Sequence, residues 1–324
     1  MDMMPEVALE WFRAGRKVAL ATVVETWGSA PRRVGAQLVV DGEAQMMGSV
    51  SGGCVEGAVV VEALEAMEEG ASRLLEFGIS DGDAFAVGLA CGGTIRVLVE
   101  PIGSVLTEEM LAALVDARAA RRPIAYVVNP QMNTRDLAFE GHDARFRKDR
   151  SGFEEDGETF VAIHNPPLRL ICVGAVHIAQ GLVPMARAVG YDVTVIDPRE
   201  SFASPERFPE TDLMHDWPDE AVATLGMDAR TALVLLTHDP KLDDPALMAG
   251  LSAECFYIGA LGSTRTHAKR LQRLTEAGFT QAQMDRIHGP IGLDIGAASP
   301  AEIAVSIMAE MTQVLRIGGL GPSE

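Results

Sequence analysis

The sequence predicts an α/β fold in two domains. An N-terminal mixed α+β domain spans residues 1–166 and a doubly wound parallel sheet spans residues 167–324. Three observations predict it. Beyond Pro167, short and continuously apolar strands alternate with helices, the pattern of strands buried on both faces. Before it, Asp41-Gly42 sits between two short strands as a hairpin turn, the mark of antiparallel pairing. Asn165-Pro166-Pro167 is the clearest break in the chain. The length of 324 residues agrees, since about 150 residues per domain gives roughly two.

In the N-terminal domain the spacing of apolar residues predicts a helix over 7–14 and a Val-, Ala- and Thr-rich strand over 17–25. The loop 28–35 follows, then the hairpin 37–40 and 44–47. The glycine-rich run 48–56 leads into a helix over 58–69. Strands are expected at 74–77 and 94–100, with a long loop 78–93 between them. A helix over 106–120 precedes strands at 124–128, 135–140 and 159–164. The charged, glycine-containing stretch 145–158 reads as an exposed hairpin or loop. In the C-terminal domain, strands are predicted at 168–173, 192–196, 232–236 and 255–258. Helices are predicted at 178–189, 219–225, 245–251, 264–276 and 300–313.

Composition excludes several functions. Apolar residues make up 48% of the chain, ample for a packed core. Lys and Arg number 27 against 46 Asp and Glu, a net charge of −19. Such a surface repels phosphate backbones and anionic lipid, so neither nucleic acid nor membrane is an expected partner. Aromatics at 5% also argue against base-stacking platforms. No apolar run reaches the ~18–20 residues of a transmembrane helix. The acidic stretch 1–10 has no signal-peptide pattern, so the cytoplasm is the expected compartment. Cys54, Cys91, Cys172 and Cys255 are too few and too dispersed for a disulfide scaffold and should be reduced thiols.

The strand 168–173 runs into Gly174-Ala-Val-His177 and then a helix, the setting of a Rossmann-like dinucleotide fingerprint. Val176 stands where the second glycine belongs. Asp197 closes the second strand where a ribose-binding carboxylate would sit, with Arg199 nearby. Ligands bind open α/β sheets beyond the C-terminal strand ends. Those ends carry Gly174 and His177, then Asp197, His238 and Asp239, then Gly259, Gly262, Ser263 and Arg265, with Asp294 in a later glycine-rich loop. Gly262-Ser263-Thr264 precedes a helix whose N–H groups suit an anion. Taken singly, Ser263 or Thr264 reads first as an N-cap and His238 as a turn residue; it is the whole rim together that reads as a ligand crevice.

In the N-terminal domain Cys54 follows Gly52-Gly53 at a helix start, and Cys91 precedes Gly92-Gly93. Thiols so placed ligate soft metals or hold a sulfur-bearing group. Arg32 and Arg33 offer guanidinium forks for phosphate. Cys172 and Cys255 lie in apolar strands as packing residues. There is no CxxC or HxxxH pair for zinc and no G-x-S-x-G elbow for a serine hydrolase.

Taken in order, Gly28-Ser-Ala-Pro-Arg32, Gly48-Ser-Val-Ser-Gly-Gly-Cys-Val-Glu56, Cys91-Gly-Gly93, Gly174-Ala-Val-His177, Asp197-Pro-Arg199, Thr237-His-Asp239, Gly259-Ala-Leu-Gly-Ser263 and Gly289–Gly296 resemble the xanthine dehydrogenase accessory factor (XdhC/CoxI) family over nearly the whole chain. The resemblance implies a chaperone that binds molybdenum cofactor (molybdopterin), supports its sulfuration and inserts it into a molybdenum hydroxylase of xanthine or carbon monoxide dehydrogenase type. Its partners would be that apoenzyme and a cysteine desulfurase. Cys54 and Cys91 match the family's two cysteines, with Cys91 as the molybdenum contact. Where the family has Gly-x-Gly-His, this chain has Val176, which weakens an NAD or NADP site without excluding a nucleotide. An NAD(P)-dependent oxidoreductase using His177 or His238, and a thiol redox enzyme built on Cys54 and Cys91, are the competing readings. A homodimer is the base-rate expectation.

Overall fold

The computed structural model describes residues 3–28, 30, 32–78 and 93–317. It divides into two compact units, Met1–Pro166 and Pro167–Glu324. The first carries α1 (Met4–Arg13), β1 (Val18–Trp27), β2 (Gln37–Asp41), β3 (Met46–Gly48), α2 (Glu56–Glu69), β4 (Arg73–Phe77), β5 (Thr94–Pro101), α3 (Glu108–Ala119), β6 (Ile124–Asn129), β7 (Thr134–Ala138), α4 (Asp143–Lys148), β8 (Gly152–Phe153) and β9 (Phe160–His164).

Two antiparallel sheets organise it, in the orders β3-β2-β1-β5-β4 and β7-β6-β9-β8. Successive side chains of a strand point to opposite faces, and β1 uses both. Ala19, Ala21 and Val23 pack with Val59, Ala63 and Ala66 of α2, while Val18 and Leu20 join Leu9 of α1 and Leu111 and Leu114 of α3. Thr107 caps α3, its side chain accepting from the Met110 N–H at 3.2 Å. Gly70, at φ +67°, ends α2 in the left-handed conformation that glycine tolerates.

Residues 145–158 are not the simple exposed hairpin or loop of the sequence reading: they hold most of α4 and all of β8. Phe146 is the cause. It is buried with Ala125 and Val161, pinning a short helix under β6 and β9. The Arg145 guanidinium then closes the segment by donating to the Phe153 carbonyl at 2.8 Å.

The second unit carries β10 (Leu168–Val173), α5 (His177–Ala188), β11 (Tyr191–Ile196), β12 (Asp212–Met214), α6 (Pro218–Leu225), β13 (Thr231–Leu235), α7 (Pro240–Ser252), β14 (Tyr257–Ala260), α8 (Thr264–Glu276), α9 (Gln281–Met284), β15 (Ile287–His288) and α10 (Pro300–Ile317). Its sheet is parallel throughout, in the order β12-β11-β10-β13-β14-β15. Numbered within the unit, this is 3-2-1-4-5-6, the doubly wound order with its switch point between β10 and β13. Leu170 and Cys172 of β10 face a core shared with α5 and α10, and Ile171 and Val173 one shared with α6 and α7. Burial on both faces explains why the strand sequences are continuously apolar.

Helix α7 starts five residues before the expected position because Asp239 caps it, accepting from the Lys241 N–H at 2.9 Å, with Pro240 in the first turn. The short β12, α9 and β15 span too few residues to display a period.

Candidate functional site

In the first unit the glycine-rich run forms a loop whose geometry is set by the first residue of α2. The Glu56 side chain folds back over residues 49–53. Its Oε1 accepts from Ser49 Oγ (2.7 Å), Val50 N (3.2 Å), Ser51 N (2.9 Å) and Gly52 N (3.1 Å), and its Oε2 from Ser51 Oγ and Gly53 N (2.9 Å). Burial alone would raise this carboxyl. The Ser51 and Ser49 hydroxyls, with the Ser51 N–H, together outweigh burial and bring it from 4.5 to about 2. A charged carboxylate therefore fills the nest of N–H groups at the head of α2. Those donors are spent inside the protein and are not open to a ligand's phosphate.

The nest presents Cys54. Its N–H donates to Ser51 Oγ at 3.0 Å while its thiol stays exposed. Gly52 and Gly53 hold φ of +79° and +112°, and among the described residues nothing lies within 4 Å of a Cβ built on Gly53. These glycines serve the backbone bend that carries the exposed thiol. Arg32 supports the loop from behind, its Nε donating to the Ser49 carbonyl at 3.1 Å. Sequence reasoning found Cys54 and missed Glu56, because its serine partners lie five and seven residues before it and match no capping-box spacing. Cys91 and Gly92 lie outside the described residues, and Gly93 is the buried residue leading into β5.

In the second unit the strand ends carry the expected residues with unequal roles. Gly174 has φ +107°, and a Cβ there would come within 2.7 Å of Thr237 Cγ2 and 3.2 Å of Thr237 N. The turn after β10 thus leans on the end of β13 at the switch point itself. His177 opens α5 and is exposed. Asp197 is 1% exposed and fully engaged. It accepts from the Ala175 N–H (2.9 Å), the Arg199 N–H (3.0 Å), Arg199 Nε (2.8 Å) and Arg199 Nη2 (2.7 Å). Burial would raise this carboxyl too, but the Arg199 bonds and the Ala175 N–H lower it below the usual carboxylate range. The residue expected at a ribose ties the turn after β10 to the end of β11. Burial, with Asp197 nearby, pushes the Cys172 thiol up to about 12, as befits a packing residue.

Asp239 and Ser263 are N-caps, of α7 and α8. Gly259 is a packing glycine, since a Cβ there would meet Ile291 and Tyr257 side-chain carbons at 2.7 Å or less. Gly262 turns into α8 at φ +144°. Asp294 is exposed in the loop after β15, which Glu310 anchors by accepting from the Gly292 N–H at 2.8 Å and from the Tyr257 hydroxyl. His238, at φ +63°, and Arg265 are brought into one cleft between α7 and α8. The same cleft takes in Asp243, Lys269, Arg270 and Arg273, which the sequence reading did not single out.

Among the described residues no group of three or more His, Cys, Asp or Glu side chains is placed to hold a metal ion. Among them, too, no helix is long and apolar enough to cross a membrane.

Comparison with known proteins agrees with both halves of this architecture. Residues 11–78 match the XdhC and CoxI family, and residues 170–311 match the XdhC Rossmann domain. The chain is 33% identical over 307 residues to the molybdenum cofactor insertion chaperone PaoD of Escherichia coli (strain K12), covering 95% of this chain and 86% of that protein. It is 28% identical over 313 residues to a probable xanthine dehydrogenase subunit of Bacillus subtilis (strain 168), covering 92% of this chain and 93% of that one. A crystal structure of a xanthine dehydrogenase from Bacillus halodurans superposes with a TM-score of 0.73 at 26% identity, covering 98% of this chain and 97% of that one. With matches in both units and along nearly its whole length, the chain belongs to the XdhC and CoxI family.

Proposed function

We propose that this protein is a chaperone for molybdenum cofactor: it holds the cofactor as cargo, guards it while a cysteine desulfurase supplies the terminal sulfur, and passes it to a molybdenum hydroxylase apoenzyme of xanthine or carbon monoxide dehydrogenase type. The observation that carries the reading is the exposed Cys54 thiol on a loop locked by Glu56. A thiolate is a soft ligand suited to molybdenum, and a fixed loop reduces the ordering lost on binding. The 33% identity to PaoD along nearly the whole chain supports the same reading. Cys91 is taken as the second thiol. The protein works in this reading as a cytoplasmic homodimer.

Purified protein mixed with released molybdenum cofactor under anaerobic conditions is expected to retain it through gel filtration and to prolong its lifetime. Cys54→Ser and Cys91→Ala should each weaken retention about tenfold, the loss of one strong ligand contact. Equal cofactor decay with and without the protein rejects the reading.

An oxidoreductase is disfavoured by Asp197. A ribose would have to displace the Arg199 fork and the Ala175 N–H from a carboxylate that is 1% exposed. Calorimetric titration with NADH is expected to give no saturable heat. Binding that Asp197→Ala abolishes, with the fold intact, would restore the oxidoreductase reading.

A further inference from the structure

The α7–α8 cleft holds an unusual arginine. Arg270 is 2% exposed, deep in a unit of a chain that carries net charge −19. Its Nη2 donates to the Leu261 carbonyl at 2.9 Å and lies 3.7 Å from Asp243 Oδ2, beyond hydrogen-bond length. Its Nε and Nη1 have no partner among the described residues. Leaving guanidinium donors buried and unbonded costs more than it does for neutral groups. The guanidinium thus places a positive charge at the cleft, with the Asp243 carboxylate no nearer than 3.7 Å.

The surroundings indicate an anion. Helix α8 places Arg265, Lys269 and Arg273 at i, i+4 and i+8 on the wall that also carries Arg270. Like charges at this spacing destabilise a bare helix. Arg273 is neutralised by a bidentate pair with Asp244, but Arg265 and Lys269 have no carboxylate partner among the described residues. Asp243 lines the same cleft: one carboxylate oxygen accepts from the Thr237 hydroxyl at 2.6 Å, the other stands 3.7 Å from Arg270, and burial raises the carboxyl above the usual range. The cleft also lies beside the N-terminal turn of α8, whose dipole adds positive potential. At about 250 Å³ it is smaller than the roughly 300–1,000 Å³ of sites that enclose a whole small-molecule ligand, so it suits an end group.

We propose that this cleft binds a terminal phosphate monoester, with Lys269 and Arg265 donating to the phosphoryl oxygens and the buried Arg270 guanidinium adding positive charge from the floor. The identification of the ester as the phosphate end of the pterin cargo rests on the chaperone reading; the anion subsite itself does not.

The test titrates the full-length protein with inorganic pyrophosphate by calorimetry at low ionic strength. Saturable binding is expected, weakened at least tenfold in the double variant Lys269→Gln/Arg265→Gln, whose positions are exposed and leave the fold intact. Arg270→Gln, checked by circular dichroism, should lose it. Absence of saturable binding, or equal binding by wild type and the double variant, overturns the proposal whatever the cofactor-retention assay gives. Phosphorylated pterin and AMP are then competed against pyrophosphate. Displacement by the pterin at the lower concentration supports the cargo as the source of the phosphate. Displacement first by AMP supports the subsite and assigns it to a nucleotide, leaving the Cys54 test of the chaperone reading separate. Displacement by neither overturns the proposal.

Discussion

Glu56→Ala is expected to destabilise the N-terminal unit by about 3–5 kcal/mol and to release the loop that carries Cys54. The carboxylate is 5% exposed and accepts from four backbone N–H groups and two hydroxyls. Removing it leaves these donors competing for fewer acceptors, and each bond to a charged group is worth about 1.5–3 kcal/mol before non-additivity. Glu56→Gln separates charge from shape. An amide of the same size keeps one acceptor but turns an N–H₂ toward the donors, so a loss of about 2–3 kcal/mol is expected.

Acid should reveal the same interaction. The folded carboxyl titrates at about 2 against 4.5 in the unfolded chain. Its contribution is therefore complete above about pH 5 and disappears as the pH falls toward 2. Allowing for screening by the solvent that reaches the loop, it amounts to about 2 kcal/mol. Urea melts of wild type between about pH 6 and pH 3 should show that slope, and Glu56→Gln should flatten it. The thiol provides a separate readout. Cys54 should change its rate of reaction with a disulfide reagent in Glu56→Gln at about pH 7, where the protein remains folded. Identical slopes and identical thiol rates would show that Glu56 does not hold the loop.

Gly174→Val should be the most damaging single change in the C-terminal unit. Two penalties add. The residue sits at φ +107°, a conformation β-branched side chains strongly avoid. Its Cβ would also press on Thr237 Cγ2 at 2.7 Å and on the backbone of residues 236 and 237, which continue directly from the buried strand β13. Strain of about 1–3 kcal/mol and overpacking of about 1–3 kcal/mol give a loss near 4 kcal/mol. The melting temperature should fall by roughly 10 °C. Gly190→Ala is the control. It also has positive φ, at +90°, but among the described residues nothing lies within 4 Å of its Cβ, so only the backbone penalty of about 1 kcal/mol applies. Equal shifts for the two variants would show that contact with Thr237 contributes nothing.

The residues differ in how far their roles were legible beforehand. The run Leu168–Val173 is apolar at every position except Arg169, and that pattern announced a central parallel strand. The turn Gly174–His177, the thiol Cys54 behind two glycines and the N-terminal cap Ser263 were legible for similar local reasons. Helix α4 was not, because one buried Phe146 organises six residues and one residue makes no period. Asp197 was placed correctly on its strand, but its position suits a ribose ligand and an internal tie equally well. Only the arrival of the Ala175 N–H and the Arg199 fork distinguishes them. Arg270 reads in sequence as one more cation on a polar helix; its burial depends on Leu261 and Asp243, contributed by the approach to α8 and by α7.

The two-part division, the parallel and antiparallel sheets, most helix positions and the bends that need glycine were written in the order of the residues. They follow from apolar burial summed over many residues and from local backbone sterics, and both leave a repeating trace along the chain. Folding alone settled which charges are spent on the protein itself and which are held ready, as with Glu56 and Asp197 on one side and Arg270 on the other. A hydrogen bond depends on an atom lying about 3 Å away in the right direction, and that neighbour arrives only when distant parts of the chain have packed together.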